Sequence, residues 1–162
     1  CIRDRGYTYE EAKLLVKELV KHELDYIHLS LLAGYASKPA GSDTTYADHF
    51  KEVMDEQTKL ITIGGVFSQE DAEAAIEDTA ADLVAIGRGT LIDPLFGYKV
   101  QTGRGAEIVH EISPEQLKNS QLTSSLLEVF SRKDSGGLPP LPGHDTITHL
   151  HTGKFGDEGQ QE

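Results

Sequence analysis

The sequence predicts an α/β protein assembled from parallel βαβ units. Three observations carry that expectation. Three short runs are almost continuously apolar or β-branched, amphipathic helical stretches alternate with them, and two of the runs end in a glycine turn. A sheet of this kind is expected to be covered by helices on its faces.

The elements follow in order. From Thr8 to His22, Ala12, Leu15, Val16, Leu19 and Val20 recur at helical spacing, with Glu10, Glu11, Lys13, Lys17 and Lys21 mostly on the other side. Glutamate–lysine pairs on that side support the helix. Thr8 and Glu11 have the spacing of a capping box, in which each side chain satisfies a free amide at the helix start. Asp25–Ser30 reads as the first strand, and 34–45 as a loop rich in Gly, Ser, Pro and Thr. A second helix is expected over Tyr46–Glu56, with Ala47, Phe50, Val53 and Met54 on one side. Leu60–Ile63 is the second strand, closed by Gly64 and Gly65. A third helix, capped by Ser68 through Asp71, buries Ala72, Ala75 and Ile76. Asp82–Ile86 is the third strand, closed by Gly87-Arg88-Gly89, and a short helix begins near Asp93-Pro94, where proline suits the first helical position.

After about residue 102 the texture changes. Residues 1–102 form the α/β part, and 103–162 an extension with one helix over about 114–133. Beyond it lie an extended Leu138–Gly143 segment and a frayed tail from Gly156.

Composition bounds the partners. With 27 acidic against 15 basic residues the formal charge is −12, which argues against a general nucleic-acid binder. No apolar run approaches the roughly 20 residues that span a bilayer. A single cysteine, Cys1, permits no internal disulfide, and a reducing compartment, the cytoplasm, fits best. The start is charged and unlike a signal peptide, and Met54 is the only methionine, so the chain reads as a piece of something longer.

Chemistry is most legible in the two glycine turns. Each closes a parallel strand just before a helix, where backbone amides can approach and hold an anion. Arg88 adds a permanently charged, forked donor suited to phosphate. The bland alternative, that these glycines only make tight turns, stands for either turn alone. The two together with Arg88 match the phosphate site after the last two strands of a (β/α)8 barrel.

The runs Leu60–Val66 and Ala81–Pro94, preceded in the same order by Gly6–Ala12 and Leu24–Ser30, resemble the end of an old yellow enzyme-type barrel, the NADH:flavin oxidoreductases. The resemblance covers roughly residues 5–102. It implies a partial (β/α)8 TIM barrel whose three parallel strands correspond to strands six, seven and eight. It also implies FMN as cofactor, NADH or NADPH as reductant, and an electron-poor small molecule as acceptor. Gly64 and Gly65, with Gly87 and Arg88, would hold the FMN phosphate. The family's catalytic residues would lie upstream of Cys1, leaving none in this chain, and three strands cannot close an eight-stranded barrel. The chain alone is therefore expected to be inactive.

Other residues weigh less. His28 could face the barrel mouth or be a core histidine. His144, Asp145, His149 and His151 form a cluster without a metal-site spacing, so no metal is expected. His22, His49 and His110 read as solvated surface; Tyr26, Tyr35 and Tyr46 read as packing residues; Cys1 has no activating base in view. Two rival functions remain at this level. One is another phosphate-binding barrel, an isomerase or aldolase. The other is a non-catalytic fragment that pairs with a second copy through its open edges, giving a homo-oligomer.

Overall fold

The computed structural model describes residues 8–31 and 33–152, so the expectations for Cys1, for the Gly6-Tyr7 part of the resemblance and for the tail from Gly156 lie outside the described residues. The described chain divides into two compact units. The first runs to Val66 and includes Glu70–Gly87; the second takes Phe67–Gln69 and continues from Arg88.

The first unit holds α1 (Tyr9–Leu19), β1 (Tyr26–Ser30), α2 (Tyr46–Lys51), β2 (Lys59–Ile63), α3 (Gln69–Glu77, its first residue counted with the second unit) and β3 (Leu83–Ala85). The strands form one sheet in the order β1-β2-β3, all parallel. The register pairs Ile27 with Leu60 and Leu29 with Thr62, then Thr62 with Val84. Those residues share one face, and Ile27, Leu29 and Leu60 pack with Ala47, Phe50, Val16, Val20 and Ala81 beneath α1 and α2.

The opposite face carries Tyr26, His28, Ser30, Ile61, Ile63, Leu83 and Ala85, all exposed or half-buried. Tyr26 is 58% and Leu83 51% exposed. Among the described residues, helices thus cover one face of the sheet and not both. His28 stands on the open face, which overturns its reading as a core histidine. This face alternates with the covered one because side chains in a strand point to opposite sides in turn.

Local signals set the helix starts. At α1 the Thr8 hydroxyl accepts the Glu11 amide while Glu11 accepts the Thr8 amide, completing the expected box. A second box, not anticipated, starts α2: the Asp48 carboxylate accepts the Thr45 amide at 2.7 Å. The same Asp48 accepts the Ala80 amide at 2.8 Å, tying α2 to the approach of β3. Burial along α1 is narrower than the periodicity predicts. Val16 and Val20 are buried, whereas Leu15 is 51% exposed, and on α3 Ala75 is buried while Ile76 faces out. The helix expected over Tyr46–Glu56 ends at Lys51, with Val53 and Met54 packing from the turns beyond it. Asp82 fastens the sheet to α2 by accepting the Leu60 amide at 2.8 Å and the Lys51 ammonium.

In the second unit α4 (Arg88–Ile92) takes up Arg88 and Gly89, expected as part of the glycine turn, and the short helix expected near Asp93-Pro94 is α5 (Phe96–Gln101). The helix expected over about 114–133 is broken into α6 (Leu117–Ser120) and α7 (Ser124–Ser131). Gln121 takes a left-handed conformation, φ +55°, and the Thr123 hydroxyl accepts the Leu126 amide to start α7 afresh. The core is Ile92, Ile112, Phe130, Leu141 and Ile147. Asp93 organises it: its buried carboxylate accepts the Leu95 amide at 3.1 Å, the Val109 amide at 3.0 Å and the Lys99 ammonium at 2.5 Å.

Candidate functional site

In the first unit, β2 runs out into Gly64 and Gly65 and β3 into Gly87, at the carboxyl ends of neighbouring parallel strands. The structure separates these glycines by what a side chain would meet there. At Gly64, φ +112°, a Cβ would lie 2.5 Å from the Leu31 carbonyl oxygen and 3.0 Å from the Gly34 Cα. The protein itself fills that space, so the absence of a side chain at Gly64 is explained by packing. Gly65, φ +76°, is exposed, and a Cβ there would meet only the Gly34 Cα at 3.6 Å. Gly87 is also exposed, its nearest neighbour being the Ile63 Cδ1 at 3.8 Å. The last two positions leave open the backbone approach that a phosphate group needs.

Arg88 follows Gly87 in the chain and belongs to the second unit. Its Nη1 donates to the Pro140 carbonyl at 2.9 Å, and its guanidinium lies 5.2 Å from the centre of the Phe67 ring. These contacts fix the side chain's direction with one of the five donors of the fork. The Pro140 partner comes from the Pro-rich segment, which the sequence presents only as an extended stretch.

The histidines fall elsewhere. His144 is buried, with its Nε2 2.7 Å from the Arg132 carbonyl, and the His151 Nδ1 lies 2.8 Å from the buried Glu128 carboxylate. Glu128 also accepts the Thr152 amide at 2.9 Å and its hydroxyl at 3.0 Å. Among the described residues no group of three or more His, Cys, Asp or Glu is arranged to hold a metal ion. His49, expected at the surface, is half-buried, its Nε2 2.7 Å from the Ser42 hydroxyl and 3.0 Å from that of Thr44. Its ring meets Tyr9 edge-on, as does that of Tyr46. Burial pushes the Tyr9 phenol above its usual range, with the neighbouring Lys13 opposing, and burial likewise raises Tyr35. Tyr26, expected to pack, is exposed.

A three-stranded parallel sheet with helices between its strands, and glycine turns at the carboxyl ends of two of them, is the architecture of a (β/α)8-barrel segment. A solved structure of a morphinone reductase mutant in complex with tetrahydroNAD shares this fold, with a TM-score of 0.50 over 72% of this chain and 31% of that one, at 21% identity. The family model "NADH:flavin oxidoreductase / NADH oxidase family" matches residues 3–107, and the chain belongs to that family. Among its relatives are the "Probable NADH-dependent flavin oxidoreductase YqiG" of Bacillus subtilis, 38% identical over 105 residues, and the NADH oxidase of Thermoanaerobacter brockii, 34% identical over 113. The matched part is 64% of this chain in both cases, but only 28% and 17% of the relatives. No helix among the described residues is long and apolar enough to cross a membrane.

Proposed function

We propose that this chain supplies the phosphate end of the FMN site of an NAD(P)H-dependent oxidoreductase, with a small electron-poor molecule as acceptor. The observation that carries the reading is the pair of open glycines, Gly65 and Gly87, at the carboxyl ends of adjacent strands in a chain of this family. FMN, when bound, would supply the hydride chemistry between nicotinamide and acceptor. The protein's share is to hold it. The Gly65 amide would donate to the phosphate, Gly87 would let the backbone come close, Arg88 would supply positive charge, and Gly64 would shape the turn. Residues 1–102 are the barrel portion and 103–162 an extension. The relatives' names support an NADH-dependent oxidoreductase, and the single cysteine fits a reducing compartment such as the cytoplasm.

The test is a titration of the 162-residue chain with FMN and with riboflavin, followed by flavin fluorescence. Binding of FMN and not of riboflavin is expected; equal affinities would overturn the phosphate grip. The three strands leave the flavin ring without most of a barrel around it, so no NADH turnover is expected from this chain alone.

A second reading concerns association. Exposure of Tyr26 and Leu83 on the open face favours pairing of this chain with a second copy. Sedimentation at several concentrations is expected to show a concentration-dependent dimer, and a monomer throughout would rule it out.

A further inference from the structure

The loop after β1 does more than connect. Gly34 is buried with φ +96°, and its Cα and amide stand against the backbone of Gly64. The next residue, Tyr35, donates its amide to the Gly64 carbonyl at 3.0 Å, while the Gly34 amide closes its own turn onto the Leu31 carbonyl at 3.2 Å. The Gly34 carbonyl in turn accepts the Ser37 amide at 3.1 Å and the Ser37 hydroxyl at 2.6 Å. The Ser37 carbonyl accepts the amide of Tyr46, the first residue of α2, at 3.1 Å. A continuous line of hydrogen bonds thus runs from the start of α2 to the glycine turn that ends β2.

A trans peptide places its carbonyl and its N–H on opposite sides. With the Gly64 oxygen drawn toward Tyr35, the N–H of Gly65, in the same peptide plane, is directed away from the loop. The Gly64–Gly65 bond is trans, as are the other peptide bonds of the described residues. We infer that Gly34 and the Tyr35 amide are positioning residues for the phosphate group: they lock the Gly64–Gly65 peptide so that its N–H faces outward toward the anion. Glycine is favoured at both positions by positive φ, and at Gly64 a Cβ would also press on the Leu31 carbonyl oxygen at 2.5 Å and the Gly34 Cα at 3.0 Å, whereas at Gly34 it would meet the Gly64 oxygen at an ordinary 3.5 Å. This inference rests on the reading of the glycine turns as a phosphate site.

The test uses the isotope-labelled 162-residue chain in solution NMR, with inorganic phosphate and FMN as probes and Gly34→Ala as the variant. A through-hydrogen-bond coupling between the Tyr35 nitrogen and the Gly64 carbonyl carbon is expected in the wild type, and phosphate is expected to shift the Gly65 amide. Gly34→Ala should move the Gly64 and Gly65 signals, leave those of Leu60 and Thr62 in place, and weaken binding roughly tenfold or more, the loss of one hydrogen bond to an anion. A folded Gly34→Ala chain that binds phosphate undiminished would overturn the positioning role alone. If that variant fails to fold, absence of the coupling in the wild type overturns it. A wild-type Gly65 amide that ignores both probes would instead overturn the phosphate site, and the positioning role with it.

Discussion

The Asp93 carboxylate meets the Lys99 ammonium at 2.5 Å, with the two side chains 3% and 11% exposed. Burial opposes the charge on Asp93, but Lys99 and the amides of Val109 and Leu95 outweigh it and hold its pKa below the usual carboxylate range. Replacement by asparagine removes the charge and leaves the half-buried Lys99 ammonium without its ionic partner, donating only to the Glu107 carbonyl at 2.8 Å. Asp93→Asn is therefore expected to destabilise the second unit by about 3 kcal/mol, measured by urea unfolding.

The same ion pair predicts a pH dependence. Because the folded pKa of Asp93 is depressed, its stabilising contribution is complete above the unfolded value of ~3.9 and is lost as the pH falls through the lower, folded one. Asp82 behaves alike: burial works against its charge, and the Leu60 amide and Lys51 prevail. Unfolding free energy is expected to drop steeply below about pH 4, and Asp93→Asn should flatten that slope.

The glycines of the two turns should separate by experiment. Gly64→Ala puts a Cβ against the Leu31 carbonyl in a left-handed conformation and should cost at least about 2 kcal/mol of stability. Gly87→Ala has room and no positive φ; its stability should change by no more than about 0.5 kcal/mol. If the backbone of Gly87 touches phosphate, FMN affinity should nevertheless fall.

Arg88→Ala removes both the proposed phosphate donor and the hydrogen bond to Pro140. FMN binding should weaken by roughly tenfold or more, with riboflavin binding unaffected. Arg88→Lys keeps the charge without the fork, so an intermediate FMN affinity is expected in the same titration.

At α2, Asp48 serves the Thr45 amide and the Ala80 amide together, whereas among the described residues Glu11 serves its own helix start. Asp48→Ala is expected to cost about 2 kcal/mol against about 1 kcal/mol for Glu11→Ala, read from thermal unfolding.

Much of this was legible in the residues. Apolar runs at Ile27, Leu60 and Val84 announced the parallel strands, and the Thr8–Glu11 spacing announced its box, because both signals are local. The family resemblance, too, lay in contiguous motifs. The helix break at Gln121 was hidden because nothing near it is a proline or glycine; a left-handed glutamine is imposed by its surroundings. The outward turn of Leu15 and of His28 depends on which face of each element meets a partner, and periodicity does not say which. Asp93 looked like a helix start, and its role as a hub depends on Lys99 and Val109 arriving from later in the chain. Gly34 read as loop punctuation, since its importance comes from Gly64, far along the sequence.

The all-parallel register has a kinetic consequence. No two neighbouring strands are joined by a hairpin: Tyr26 cannot meet Lys59, nor Ile61 meet Leu83, until a loop and a helix between them have been traversed. Every strand pairing therefore closes a long loop before it gains a hydrogen bond, and the sheet has no local nucleus from which to zip. The capped helix α1 can form early, but the sheet must wait for its parts to find each other. During that interval the apolar strands are open to other chains, so refolding yield should fall as protein concentration rises.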